Sequence, residues 1–164
     1  MDDLEDDQLE WRDTYFILFQ QGSRPTLTQV EAAITDSTRR VTLENLEADD
    51  DGMFESLLVQ APDDHAALEI SYETGDAVVE QSAQLAKQLR GDATPDQLKR
   101  LLRSDARLDV MLFERISAGE EASEDDEEWG PESVDPASLL NVVDALAKLT
   151  RGLPIDPASG AILP

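Results

Sequence analysis

Two short apolar runs, far apart in the chain, constrain the fold most. Residues Tyr15 to Phe19 read YFILF and residues Val110 to Phe113 read VMLF, without a polar interruption. A continuous apolar run of strand length is typical of a strand covered on both sides, whereas a strand with one wet face alternates polar and apolar residues. The sequence therefore predicts that these runs lie side by side in the middle of one sheet, shielded from water above and below.

The residues between these runs predict one helix, three strands and two more helices. Thr26 with Gln29, and Thr94 with Gln97, have the spacing of capping boxes, which open helices. Strands are predicted around Val41–Leu43, Leu57–Val59 and Leu68–Tyr72, and the second helix over Val78–Leu89. The element order is therefore β-α-β-β-β-α-α-β.

This order predicts an α+β fold. Without one strand and one helix, it is the split β-α-β plan of the ferredoxin-like sandwich, in which helices cover one face of a mostly antiparallel sheet. We therefore expect a ferredoxin-like domain over residues 14–116. Because the apolar runs need cover on both faces, we expect the second face to be covered by the C-terminal helix or by a second subunit.

Acidic segments divide the chain. Residues 1–13 form an acidic N-terminal segment and residues 117–134 an acidic linker, since blocks of like charge repel and resist packing. Residues 135–164 are expected to form a helix, ended by Gly152, and a short hairpin over Ile155–Ile162, both packed on the same domain. The apolar surface of the helix comprises Leu139, Leu140, Val142, Val143, Leu146 and Leu149.

The C-terminal segment carries one resemblance to known proteins. The helix end Leu149-Thr150-Arg151-Gly152, followed by Ile155-Asp156-Pro157 and Ser159-Gly160, resembles the tail of uncharacterised bacterial α/β (ferredoxin-like) domains. The resemblance covers this tail alone. It implies the fold class, but no activity and no functional residue.

Composition excludes several classes of function. The net charge of −24 argues against nucleic acid and anionic membranes as partners, because both are bound through Lys and Arg. The absence of cysteine excludes disulfides, thiolate catalysis and Cys-ligated metals. The first residues lack the pattern of a secretory signal, and no run reaches membrane-spanning length, so we expect a cytoplasmic location.

One turn imitates part of a calcium loop. Glu47, Asp49 and Asp51 precede Gly52 at alternate positions and are candidate metal ligands. Leu58 stands where an EF-hand requires a bidentate glutamate, so a solvated turn is the alternative. The single histidine, His65, follows two aspartates but does not make a metal site by itself.

One local cluster of basic residues is a weak candidate site for an anion or an acidic partner. It comprises Lys99, Arg100, Arg103 and Arg107. Diffuse attraction to the chain's own acidic runs is the alternative reading. The sequence contains no nucleophile elbow and no glycine-rich phosphate loop, so it predicts no catalytic residue and no cofactor.

Three functions fit these observations. The first is a non-enzymatic interaction or assembly module that associates with itself, as a dimer. The second is an acidic partner of a basic protein, bound through its polyanionic segments. The third is an enzyme with a carboxylate-based or metal-dependent site that the sequence does not locate.

Overall fold

The computed structural model describes residues 7–38, 41–61, 66–117, 136–157 and 161–162. Within them lie four helices, α1 (Leu27–Ser37), α2 (Asp76–Gln88), α3 (Pro95–Arg103) and α4 (Pro136–Thr150). The strands are β1 (Asp7–Phe19), β2 (Thr42–Ala48), β3 (Phe54–Ala61), β4 (Ala66–Thr74), β5 (Ala106–Ser117), β6 (Leu153–Asp156) and β7 (Ala161–Ile162). The α+β class and the predicted element order are confirmed. No described helix has the length and apolar character needed to span a membrane.

All strands join one open sheet in the order β2-β3-β4-β5-β1-β6-β7, and every neighbouring pair is antiparallel. The centre is the pairing of β1 with β5, in which Tyr15 lies opposite Val110 and Ile17 opposite Leu108. The two apolar runs are therefore adjacent in the middle of the sheet, as predicted.

The ferredoxin-like arrangement of strands is not confirmed. A split β-α-β unit places one strand between the two strands that a helix connects. Here α1 connects β1 to β2, and three strands, β3, β4 and β5, lie between them. The difference arises because β2, β3, β4 and β5 pair in chain order. β1 therefore pairs with the edge of β5 that faces away from β4.

One side of the sheet, face A, is covered by α1 and α4. Val30 and Ile34 of α1 and Val142 and Leu146 of α4 belong to one buried cluster. Its sheet members include Ile17, Leu57, Ile70, Leu108 and Val110. The C-terminal helix thus packs on face A beside α1, and not across the opposite face.

The opposite side, face B, carries α2 and α3. Val78 and Leu85 of α2 and Leu101 of α3 form a second buried cluster with Leu18, and β6 contributes Leu153 and Ile155. From the sequence, the helices of the domain are expected on one face, with the C-terminal helix or a second subunit across the other. This division is wrong, because α1 shares face A with the C-terminal helix while α2 and α3 lie on face B. Successive side chains of β1 point to opposite faces of the sheet. Ile17 and Phe19 are buried in the first cluster, on face A, and Leu18 is buried in the second cluster, on face B.

Local sequence explains where the helices begin. The Thr26 side chain accepts a hydrogen bond from the Gln29 amide at 3.1 Å, and the Gln29 side chain accepts one from the Thr26 amide at 2.9 Å. Thr94 and Gln97 repeat both bonds at the start of α3. Both predicted capping boxes are therefore confirmed.

The start of β1 differs from the expected boundary. The strand begins at Asp7, so residues 7–13 of the segment assigned to an acidic tail pair with β5. The register shifts between Trp11 and Asp13. Residues 1–6 and 118–135, which hold the remaining acidic residues of the two segments, lie outside the described residues.

Candidate functional site

Helices cover face B at one end of the sheet. At the other end, cross-strand pairing places Trp11 opposite Phe113, and Thr14 opposite Met111. Side chains of directly opposed residues project from the same face. Leu58 of β3 lies on this face too, since it pairs with Glu69, which pairs with Met111. We name this surface the open patch; it comprises Trp11, Thr14, Leu58, Met111 and Phe113.

The apolar members of the open patch are incompletely buried. Trp11 is 56% exposed, and Leu58, Met111 and Phe113 are half-buried. None of these four belongs to, or packs against, either of the two buried clusters. Four strands separated by about 4.8 Å make the surface about 14 Å wide. This width exceeds the diameter of a helix, which is about 10 Å.

Acidic side chains lie within and beside the open patch. Glu69 stands between Met111 and Leu58 in one cross-strand row, which Glu44 of β2 extends. Glu47 lies opposite Ser56 in the neighbouring row. All three glutamates are exposed. No described cation forms an ion pair with Glu69.

A polar network marks the boundary between the open and the covered parts of face B. Arg107 of β5 donates from Nε to the Asp109 carboxylate at 2.5 Å and also hydrogen-bonds the Gln81 side chain of α2. Its guanidinium lies 4.5 Å from the centre of the Phe16 ring. Burial raises the pKa of Asp109. The Arg107 guanidinium acts in the opposite direction and lowers this pKa, whereas the negative charge of Glu73 raises it further. The network joins β5 to α2, so it lies at the edge of the part of face B that the helices cover.

The structure does not bring the four basic residues predicted as one cluster together at one site. Lys99 and Arg103 are exposed on α3. Arg107 is half-buried in the network with Asp109. Arg100 donates from Nη2 to the backbone carbonyl of Arg151 at 2.8 Å, at the end of α4. The cluster separates because α3 ends at Arg103, and the chain then enters the sheet.

The predicted calcium-like turn is organised by Asp49. Its Oδ1 accepts hydrogen bonds from the amides of Asp51 and Met53, both at 2.9 Å, and its Oδ2 lies 3.3 Å from Arg24 Nη1. The Met53 amide above all holds the pKa of Asp49 below its usual range, and the Asp51 amide and Arg24 assist.

The neighbouring acids of this turn do not complete a metal site in the structure. The Glu47 side chain accepts a hydrogen bond from the Ser56 hydroxyl at 3.4 Å, and Asp51 is exposed. Among the described residues, no three His, Asp or Glu side chains are grouped as metal ligands would be. His65, the other weak candidate, lies outside the described residues.

Sequence reasoning missed the open patch. The acidic segment predicted over residues 1–13 includes Trp11, Thr14 is the first residue of the predicted domain, and VMLF is expected to be shielded on both faces. In fact Val110 and Leu112 are buried on face A, while Met111 and Phe113 project from face B and are half-buried. A tryptophan four residues before a predicted central strand was the sequence signal that could have located this surface.

Comparison with known proteins adds no function. No family model, no curated protein and no solved structure matches the chain. The resemblance of the C-terminal tail to uncharacterised bacterial α/β domains therefore stays a prediction.

Proposed function

We propose that this protein is a non-enzymatic interaction module and that its open patch docks a basic amphipathic segment of a partner protein. The observation that carries the proposal is the placement of Glu69 between the apolar side chains of Met111 and Leu58 on one exposed sheet face. A partner must therefore supply apolar side chains for this face and a cation for Glu69. Contiguous exposed apolar surface with a polar rim is typical of protein-binding sites.

Charge favours a basic partner over a second copy of the chain. Two copies would each carry a net charge of −24. Packing one open patch on another would enclose Glu69 of both copies without a described cation to pair with it, which is costly. A basic partner would instead be drawn toward the acidic surface by long-range attraction. Self-association, the first expectation from the sequence, is therefore an alternative outcome of the test.

The test uses an amphipathic helical peptide of leucine and lysine, about four turns long. Trp11 reports its binding by fluorescence in a Trp129→Phe background, which leaves Trp11 as the single tryptophan. We expect a blue shift of emission, and an affinity that falls as salt rises from about 0.05 M to about 0.5 M. A leucine–glutamate peptide and an alanine–lysine peptide should not bind, since each lacks one half of the required chemistry.

Matched variants separate the open patch from the general surface. Met111→Thr and Glu69→Gln should each weaken binding by about tenfold. Leu102→Thr and Glu55→Gln change an exposed leucine on α3 and an exposed glutamate outside the patch, and should leave binding unchanged. Equal losses in patch and control variants would contradict the proposal. So would a dimer, seen by light scattering, that Met111→Thr disperses, because the open patch would then bind a second copy.

A further inference from the structure

A second feature, separate from the open patch, lies at the β6 side of the sheet. A cleft of about 390 Å³ opens where the end of α4 passes α3. Ala147, Leu153 and Ile162 supply apolar lining, and Gln97 of α3 adds an amide. The volume falls within the range of about 300–1,000 Å³ that is typical of small-ligand sites.

The cleft gathers positive charge in an acidic protein. Arg100, Lys148 and Arg151 line it, which is three of the chain's 13 basic residues. Among the described residues that line the cleft, the one carboxylate is that of Asp144, and Lys148 Nζ pairs with it at 3.0 Å. Within this described lining, Arg100 and Arg151 leave an excess of positive charge, although the whole chain carries −24.

The two arginines differ in what the fold requires of them. Arg100 has a structural task, because its Nη2 donates to the carbonyls of Arg151 at 2.8 Å and Gly152 at 3.3 Å. These bonds satisfy the carbonyls of the two residues that join α4 to β6. Arg151 has no such task for its side chain: it is exposed, and no described residue hydrogen-bonds or ion-pairs with its guanidinium.

The backbone of Arg151 strengthens this distinction. Its φ angle is +60°, in the left-handed region that glycine and asparagine adopt more easily at the end of a helix. The hydrogen bonds that close the helix here come from backbone amides: Arg151 N donates to the Lys148 carbonyl at 3.3 Å, and Gly152 N donates to the Ala147 carbonyl at 2.9 Å. The helix end therefore does not require an arginine side chain at this position.

We propose that this cleft binds a small ligand with a carboxylate or phosphate group attached to an apolar body. Arg151 and Arg100 meet the anionic group, since guanidinium groups form charge-assisted hydrogen bonds with both anions. Leu153, Ala147 and Ile162 contact the apolar body. This site is independent of the proposed docking function, so either can fail alone.

The test measures binding by calorimetry at low salt with four probes: hexanoate, hexyl phosphate, inorganic phosphate and neutral hexanamide. We expect hexanoate or hexyl phosphate to bind, and the stronger of the two identifies the anion. Inorganic phosphate and hexanamide should bind at least about tenfold more weakly, because each lacks one half of the ligand. Backbone amide shifts of Arg151, Leu153 and Ile162 should follow the same titration.

Variants connect the binding to Arg151. Arg151→Asn removes the charge yet accepts the left-handed backbone, so the variant should remain folded and bind about tenfold more weakly. Arg103→Gln, which removes an exposed cation from the same helix as Arg100 but outside the cleft, should bind normally. Equal binding of hexanamide, equal loss in Arg103→Gln, or no binding of hexanoate and hexyl phosphate would each overturn the proposal.

Discussion

The guanidinium of Arg24 lies 4.1 Å from the centre of the Tyr72 ring, and this contact joins the segment before α1 to β4. The same guanidinium donates to the Phe54 carbonyl at 3.2 Å and 2.9 Å and lies 3.3 Å from Asp49 Oδ2. One side chain, 20% exposed, thus ties the β2–β3 turn to the sheet. A stacked, multiply bonded arginine of this kind contributes more than a surface ion pair.

Arg24→Lys keeps the charge but removes the planar group that stacks and donates two bonds. We expect the free energy of unfolding, measured by urea denaturation, to fall by about 2 kcal/mol. Arg12→Lys is the matched control, because Arg12 forms one ion pair with Glu114 and is 54% exposed. Its cost should stay below about 0.5 kcal/mol. Similar losses in both variants would show that the contacts of Arg24 do not hold the turn.

Because the pKa of Asp49 is lowered in the folded protein, the stability of the fold should change with pH in the acidic range. The ionised carboxylate is stabilised above all by its hydrogen bond from the Met53 amide. This stabilisation is fully present at pH values above the pKa of the unfolded chain, and it is lost as the pH falls through the lower pKa of the folded protein. Asp49→Asn removes that ionisation, so the variant should lose less stability on acidification than the parent. Urea denaturation from neutral to strongly acidic pH measures the difference. Asp50→Asn, at the exposed neighbouring position, should retain the parent's pH dependence.

The pKa of Asp109 is shifted in the opposite direction, so its effect on the pH dependence of stability is also opposite. Burial raises its folded pKa, so its contribution to stability is fully present below the unfolded pKa and is lost as pH rises through the folded pKa. Arg107→Gln removes the opposing cation and should cost about 2 kcal/mol at neutral pH. The cost should be smaller near pH 4, where protonation of Asp109 is more favourable. Adding Asp109→Asn should recover part of the loss; no recovery would mean that Arg107 acts through Phe16 and Gln81 instead.

Gly152 follows the end of α4 and lies close to β1. A Cβ at this residue would meet the Leu18 carbonyl oxygen at 2.7 Å and Ile17 Cγ2 at 2.8 Å. Gly152→Ala should therefore lower the free energy of unfolding by about 2 kcal/mol or more, as overpacked sites do. Gly22→Ala is the control, since a Cβ there meets nothing within 4 Å. Thermal denaturation should leave this control within a few degrees of the parent, and an equally unchanged Gly152→Ala would refute the close approach.

Much of the secondary structure could be predicted because its signals are local. The capping boxes of Thr26 and Thr94 depend on residues three positions away, and the YFILF run identifies β1 by itself. The hairpin of β6 and β7 follows from turn residues between short apolar arms. Each of these signals operates within a few residues, so it remains visible in the sequence.

The candidate sites could not be predicted from spacing alone. Glu47, Asp49 and Asp51 suggested a cation, yet the partner of Asp49 is Arg24, which is distant in the sequence. Arg100 and Arg107 suggested one basic cluster, yet Arg100 lines a cleft with Lys148 and Arg151 from the other end of the chain. Arg100 lies on α3 and Arg107 lies on β5, so two charges that are close in the sequence belong to different elements in the structure.

Local patterns alone predict the elements, their order and the central position of the two apolar runs, because hydrophobic periodicity and capping are properties of neighbouring residues. Long-range packing places β5 between β4 and β1, puts helices on both faces and leaves Met111 and Phe113 half-buried. An apolar strand can pair on either edge, and an amphipathic helix can pack on either face. The choice depends on the total burial gained by contacts between residues that are far apart in the chain.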